Sequence, residues 1–411
     1  MADKRGSRGR IRLGSLNMKG FGIPRAREGS DKWLAINQLM KDARLSVLGI
    51  QEAHLNHSRV ESLNNLFGTR LKIVASMHPS NPTGAGGVAF VTNLNLHGSE
   101  DAVYTEIVPG RALMLTLPWG RDKHIRVLNV YAPNVLSDNA ALWDSLKERY
   151  TNDPAFRPDI VLGDFNMVEE SIDRCPARTD PGQVTRAFAD MKERMGMCDT
   201  WRRAHPGKRE FTYMQAGNGA QSRLDRIYAS RGLVPAVADW KCAMSAIPTD
   251  HALVSLSVAR YNEPNIGKGR WTLPLHLLDD AHFIESMKTL GFKLQDDLNG
   301  IASRSVDVNP QKLWAAFKSD IRNEARARMK LKVSKIEVKI KKANEDIAKC
   351  ANEVNVNAGD EDRAMTAALL RERVTILERK KARVRKGASA AKDWAHGEKI
   401  GKYWIRMNAP K

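Results

Sequence analysis

Long apolar runs are missing from this chain, and no stretch approaches the roughly 18 consecutive apolar residues a membrane-crossing helix needs; no membrane span is expected among its 411 residues. Cysteine is scarce. Cys175, Cys198, Cys242 and Cys350 lie far apart with no C-x-x-C pair, which excludes a sequence-encoded zinc site or disulfide framework and fits a reducing compartment. There is no G-x-x-x-x-G-K-[ST], no G-x-S-x-G, no H-E-x-x-H and no G-x-G-x-x-G opening a helix. Those absences remove the P-loop, serine-hydrolase, zinc-protease and dinucleotide-binding readings. Low-complexity tracts and internal repeats are lacking too. Acidic residues fall short: 47 Asp and Glu face 66 Lys and Arg, a formal charge of +19. Such an excess speaks of partners rather than fold, and a polyanion is the first expectation.

What is present divides near residue 260. Before it stand 35 basic and 27 acidic residues, after it 31 and 20, so the shorter second part is the more basic. Gly-rich and β-branched segments give way there, through Tyr261–Asn265 and Gly267–Arg270, to Lys-, Arg-, Ala- and Glu-rich sequence. We expect a basic flexible arm over residues 1–10, without a secretory signal because no apolar run follows it. A folded domain should span 11–260, and a basic helical region 261–411.

Within 11–260, short apolar runs between Gly, Pro and Asn punctuation predict strands at Ile11–Leu16, Leu45–Ile50, Gly87–Val91, Ala112–Leu117, Ile125–Tyr131, Ile160–Leu162, Leu224–Tyr228 and Leu253–Val258. Helical stretches lie at Asp31–Asp42, Arg59–Leu66, Asn139–Tyr150 and Thr185–Met195. The expected architecture is α/β, two packed sheets with helices outside. Beyond the boundary, Met329, Val333, Ile336, Ile340, Ala343, Ile347 and Cys350 follow a 4, 3 spacing, a heptad seam. A second apolar pattern, Ala367, Leu370, Val374 and Leu377, follows a break at Asn355–Gly359, so a helical hairpin is expected at about 320–350 and 362–386. Its lysines fit either a solvated structural bundle or a nucleic-acid surface.

Several apolar strands end on polar groups that packing cannot use. Asn17 follows Arg12–Leu16, Glu52 follows Val47–Gln51, and Asp164 with Asn166 follows Ile160–Gly163. Asp225 lies inside Ser222–Ile227, and Asp250-His251 precede Leu253–Val258. One such residue reads as a turn or a helix cap. If their strands are neighbours in one layered domain, five such ends converge at one edge as an oxygen-rich pocket suited to a hard cation such as Mg²⁺; unopposed carboxylates repel, so that cation, or else a Lys or Arg, must offset them. His251 beside such a pocket can hydrogen-bond a phosphate or move a proton, and Asp225 is a candidate to hold its ring. Tyr131 ends Val127–Val130 and is either core or a phenol facing the same pocket. The remaining histidines, such as His54, His57, His78 and His97, show no ligand spacing.

Taken in order, Leu16–Gly20, Ile50-Gln51-Glu52, Asn129–Pro133, Gly163-Asp164-Phe165-Asn166, Ser222–Ile227 and Thr249-Asp250-His251 resemble the endonuclease/exonuclease/phosphatase superfamily of DNase I and apurinic endonucleases. Gly86–Phe90 and Phe211-Thr212-Tyr213 also look like family positions. The resemblance implies a four-layered α/β/β/α sandwich over about 10–258. It implies Asn17, Glu52 and Asp250 in the shell of a Mg²⁺ ion, with Mn²⁺ as a substitute. It further implies Asp164 as activator of water, Asn166 as holder of nucleophile and phosphate, Tyr131 near the leaving oxygen, and Asp225 orienting a catalytic His251. Thr249 stands where the family commonly has Ser. The Ser-Arg-Leu-Asp-Arg-Ile form, the upstream Phe-Thr-Tyr and the basic helical extension look most like the endonuclease of non-LTR (LINE-type) retrotransposons, which implies DNA contacts at Arg223 and Tyr213. A reverse transcriptase follows the nuclease in such elements. No F/Y-A-D-D motif occurs within these 411 residues, so a truncated or domesticated reading frame is expected. The expected activity is Mg²⁺-dependent nicking of DNA, with RNA a second partner for the tail, no membrane partner, and a nuclear or cytoplasmic location. Alternatives are an inositol-phosphate or lipid-headgroup hydrolase on the same fold, or a catalytically silent basic module that binds nucleic acid.

Overall fold

The computed structural model describes residues 10–22, 32–94, 99–119, 123–153, 156–215, 219–259, 273, 277–301, 303–305, 309–331, 335–352 and 361–397. The arm and the 260–272 boundary lie almost wholly outside them. In chain order the first strands are β1 (Arg10–Asn17), β2 (Val47–Gln51), β3 (Leu71–Ser76), β4 (Val88–Asn93), β5 (Val103–Val108), β6 (Ala112–Pro118), β7 (His124–Tyr131) and β8 (Ile160–Asp164). There follow β9 (Arg174–Cys175), β10 (Met197–Asp199), β11 (Tyr213–Met214), β12 (Gln221–Ser222), β13 (Asp225–Ser230), β14 (Val237–Ala243) and β15 (Leu253–Ala259). The helices are α1 (Lys32–Asp42), α2 (His57–Phe67), α3 (Leu136–Asn152), α4 (Gly182–Arg194), α5 (Thr200–Ala204), α6 (Ala281–Asn299), α7 (Pro310–Leu331), α8 (Lys335–Asn352) and α9 (Glu361–Gly397).

Two six-stranded sheets, ordered β14-β15-β1-β2-β4-β3 and β10-β13-β8-β7-β6-β5, pack face to face, and a small β11-β12-β9 sheet lies beside them. Each large sheet holds one parallel pair, β1 with β2 and β7 with β8. These four strands are buried on both faces, so their side chains read as continuous apolar runs. One core, including Leu13, Phe90, Leu115, Val127 and Leu162, fills the space between the sheets. A second lies under α1 and α2 around Trp33, Ile36 and Phe67. The third lies under α3 and α4, where Trp143, Phe165, Phe188 and Tyr228 pack ring against ring. The expected four-layered sandwich is the observed one.

Polar groups tie the sheets together just below one edge. Asn129 of β7, fully buried, donates across to the carbonyls of Ile50 at 3.0 Å and Ala89 at 2.9 Å, and accepts from Gln51 at 2.6 Å. Gln51 in turn pairs with Ser15. Gly49 permits the close approach, because a Cβ there would stand 2.4 Å from Leu162. Because both parallel pairs run the same way, β1, β2, β7 and β8 deliver their last residues to this edge.

Three strands escaped the sequence reading, β3, β5 and β14, together with the short β9 to β12. Each of the three is an edge strand. The expected seam also shifts. Ile340, Ala343 and Val374 are buried against Ile336, Ile347 and Leu377, so the hairpin is α8 with α9, whereas Met329 on α7 is exposed. Val333 and the Asn355–Gly359 break lie outside the described residues, and α6 and residues 310–319 of α7 fall within the expected helical region without having been placed individually. The hairpin docks on the sandwich: Arg371 donates to the Phe211 carbonyl at 2.8 Å, and Asn352 exchanges hydrogen bonds with the Arg209 backbone at 2.8 and 3.2 Å.

Candidate active site

Asn17 closes β1 and Glu52 follows β2, and the buried Asn17 amide joins two acids, donating to Glu52 at 2.8 Å and to Asp164 at 2.9 Å. Its own Oδ1 accepts from the Lys19 backbone at 2.9 Å. Tyr131, last in β7, donates to the same Glu52 oxygen at 3.1 Å, with the Arg111 guanidinium over its ring. Burial and the neighbouring Glu52 and Asp164 push the phenol far above its usual range. Both Glu52 and Asn166 adopt left-handed backbone, φ +49° each, at the ends of their strands. Residues other than Gly take this conformation rarely, and it clusters at functional sites.

Asp164 ends β8 opposite Asp225, the first residue of the antiparallel β13. Gly163 makes this turn possible, since a Cβ there would lie 1.9 Å from the Val130 carbonyl oxygen. Asn166 donates its backbone N–H to Asp164 at 3.0 Å and its amide to the Ala132 carbonyl at 2.8 Å. His251, in the turn before β15, sets Nδ1 2.8 Å from Asp225 Oδ2. Its Nε2 lies 4.0 Å from both Asp164 Oδ2 and Asp250 Oδ1. Asp225 is oriented in turn by Thr212, whose hydroxyl accepts its backbone N–H at 2.9 Å.

Charge is unbalanced here. Burial and the nearby Asp225 carboxylate raise Asp164 to about 6. Burial alone would lower His251, yet Asp225, Asp164 and Asp250 together lift it to about 9, so the imidazole is cationic at neutral pH. Asp250 pairs with Lys19 at 2.7 Å, an interaction that raises the lysine.

Against this geometry, the family model of the Endonuclease/Exonuclease/phosphatase family matches residues 14–251, more than half of the chain. The chain belongs to this family. A curated relative, the Transposon TX1 uncharacterized 149 kDa protein of Xenopus laevis, is 30% identical over 192 residues. That match covers 45% of this chain and 14% of the relative. Among solved structures, an AP endonuclease of Leishmania major is similar at 17% identity and TM-score 0.49, over 61% of this chain and 88% of that one. The endonuclease domain of TRAS1, a telomere-specific non-LTR retrotransposon, gives 12% identity and TM-score 0.42 over 60% and 98%.

The structure brings Asn17, Glu52, Tyr131, Asp164, Asn166, Asp225, Asp250 and His251 together at one edge. A divalent cation fits this donor set. Glu52, Asp164, Asp225 and Asp250 bring four carboxylates against two cationic partners, and buried Asp225 Oδ1 has no hydrogen-bond partner. The tightest acidic group, however, is Asp164, Asp225 and His251, with atoms within 4.8 Å of one another. Two of the three share the Asp225–His251 hydrogen bond, while Glu52 accepts from Asn17 and Tyr131 and Asp250 pairs with Lys19. Tyr213 packs its ring on His251 at 4.9 Å and stays half-buried at the rim.

Arg223 is a correction. Its guanidinium is buried, donating to both oxygens of Asp173 at 2.7 and 2.8 Å and pairing with Asp199 at 2.8 Å. It stacks on Trp201 and is structural, with no face left for nucleic acid. Residues given no role in the sequence reading complete the site: Lys19 and Thr212, which lie within quoted motifs, and Lys32, which lies outside them. The buried Lys32 ammonium donates to the carbonyls of Met18, Lys19 and Gly20, shaping the loop after Asn17. Only an apolar helix start with an inward lysine hinted at this.

Proposed function

We propose that this edge is the active site of a divalent-metal-dependent DNA endonuclease that nicks one strand and leaves a 3′-hydroxyl. The observation that carries the reading is the Asp225–His251 pair, with His251 Nε2 equidistant from Asp164 and Asp250 beside the Asn17–Glu52 bridge. Water bound at Asp164 loses its proton to that carboxylate, which is ionised above about pH 6. His251, cationic and held by Asp225, donates from Nε2 to a non-bridging phosphate oxygen as charge builds there. Asn166 positions water and phosphate. Tyr131 stays protonated throughout and can donate toward the leaving oxygen. Glu52, Asn17 and Asp250 would hold Mg²⁺, or Mn²⁺ in its place; such an ion would neutralise the phosphate and stabilise the leaving oxyanion.

DNA is the favoured substrate because the chain carries +19 and continues into a helical region that is itself basic. Tyr213, at the rim, would meet the strand. The likeness to the TX1 protein supports a retrotransposon-type nuclease, although that relative extends far beyond the matched part. Supercoiled plasmid incubated with the full chain in Mg²⁺ or EDTA tests the activity. The expected result is metal-dependent relaxation to nicked circles, lost in Asp164→Asn and in His251→Gln. Equal silence of wild type and variants, with DNA binding retained, would replace the enzyme by a binding module.

A further inference from the structure

Beside the site, α9 stands as a wall. An open cleft of about 590 Å³ runs between it and the strand-end edge, with Lys19, Met214 and Asp250 on the sandwich side and Met365, Leu369 and Ile376 on the helix side. Asp250 lies 4.0 Å from His251 Nε2, so the cleft opens directly from the catalytic centre. Its volume falls within the roughly 300–1,000 Å³ typical of small-ligand pockets, room enough for a nucleotide.

Two faces of α9 have different tasks. Ala367, Arg371 and Val374 are buried and fix the helix, Arg371 through the Phe211 carbonyl that precedes Thr212. The other face carries Met365, Leu369, Glu372, Ile376 and Arg379 at spacings of 4, 3, 4 and 3, a single stripe along the helix. Its three large apolar side chains are 48%, 61% and 57% exposed. An aligned apolar stripe left in water costs free energy and marks a contact surface. Its occupant must reach the scissile phosphate, set its own charge at Arg379 and clear of Glu372, since Lys19 is already paired with Asp250, and offer apolar faces to Leu369 and Ile376. A nucleic-acid strand meets all three conditions when a base has left the stack, because a paired duplex shows a lateral wall mainly phosphate and sugar.

We propose that this cleft holds the DNA strand flanking the scissile phosphate, with an unstacked base against Leu369 and Ile376 and the backbone phosphate at Arg379. The assignment rests on the endonuclease reading and adds that unpaired nucleotides beside the cut are preferred. It makes the helical hairpin part of substrate binding.

Fluorescence anisotropy of the full chain in EDTA, where no cleavage occurs, tests it with two labelled duplexes, one fully paired and one carrying a single central unpaired nucleotide. Wild type should bind the second about fivefold to tenfold more tightly, the gain expected when a base face buries about 50 Å² of apolar surface against two aliphatic side chains. Leu369→Ser/Ile376→Ser, both exposed positions that leave the hairpin core intact, should erase the preference. Arg379→Gln should weaken both duplexes and flatten the slope of log K against log salt by about one. A wild type without preference, or a double variant that keeps it, overturns the proposal. Binding is read without catalysis, so a protein that nicks plasmid yet shows no preference loses the cleft assignment alone and keeps the endonuclease reading.

Discussion

Replacing Asp225 by Asn keeps the side chain's shape and removes the charge that holds His251 protonated. In the native protein three carboxylates overcome burial and lift His251 from the ordinary 6.5 to about 9, with Asp225, at 2.8 Å, the largest of the three. Without it, burial acts against only Asp164 and Asp250, whose oxygens are 4.0 Å away. The imidazole should therefore titrate at or below 6.5 in the variant. A fall of that size corresponds to about 3 kcal/mol of interaction between the pair. The same shift links to stability. A raised histidine contributes stability that is fully present below its unfolded value of about 6.5 and is lost as pH rises through about 9. Native protein should thus lose stability on the order of 3 kcal/mol across that window, and Asp225→Asn should lack the slope. Carbon-13-labelled histidine, with the His251 resonance assigned through His251→Gln, reports the titration directly in metal-free buffer. Activity should fall by a factor on the order of 10⁴, the size seen when a histidine loses its orienting carboxylate. A His251 resonance that still titrates near 9 in the Asp225→Asn protein would refute the pairing and the proton inventory built on it.

Activity should rise with pH as the Asp164 cluster ionises and fall as His251 loses its proton, a bell that a pH–rate profile reads, with bound metal setting both limbs below the metal-free values of about 6 and 9. Gly163→Ala drives a Cβ to 1.9 Å from the Val130 carbonyl oxygen, at a backbone φ of +150°, and should cost more than about 3 kcal/mol in urea denaturation or abolish soluble expression. Asn129→Leu strips partners from the buried Ile50 and Ala89 carbonyls and from Gln51, and should destabilise by about 3 kcal/mol in the same assay.

The site was more legible than its surroundings. Asn17, Glu52, Asp164 and Asn166 stand out because each ends a run of buried apolar residues, and a parallel central pair in each sheet makes those runs continuous. Edge strands carry a weaker signal: β5, with the exposed and half-exposed Val103-Tyr104-Thr105-Glu106, shows no apolar face to detect. Arg223 was misread for a different reason. Its partners Asp173 and Asp199 are far away in sequence, and a lone arginine next to a catalytic motif looks the same whether it faces DNA or a buried carboxylate. Docking of the hairpin was likewise hidden, since it turns on Arg371 and Asn352 meeting the backbone at Phe211 and Arg209. Heptad spacing locates a seam, but it does not tell that Met329 lies outside it or what the helix's other face covers.

Sequence-independent binding to DNA would satisfy the charge of this chain without any chemistry at the strand ends, so the decisive quantity is the product of the reaction. Single-turnover cleavage of an end-labelled duplex by the full chain in Mg²⁺ gives both the cut and its termini. The account predicts nicked product bearing a 3′-hydroxyl and a 5′-phosphate, absent in EDTA and reduced at least about 10³-fold by Asp164→Asn. No cleavage by wild type in any divalent metal, or the same cleavage from the Asp164→Asn protein, would contradict it.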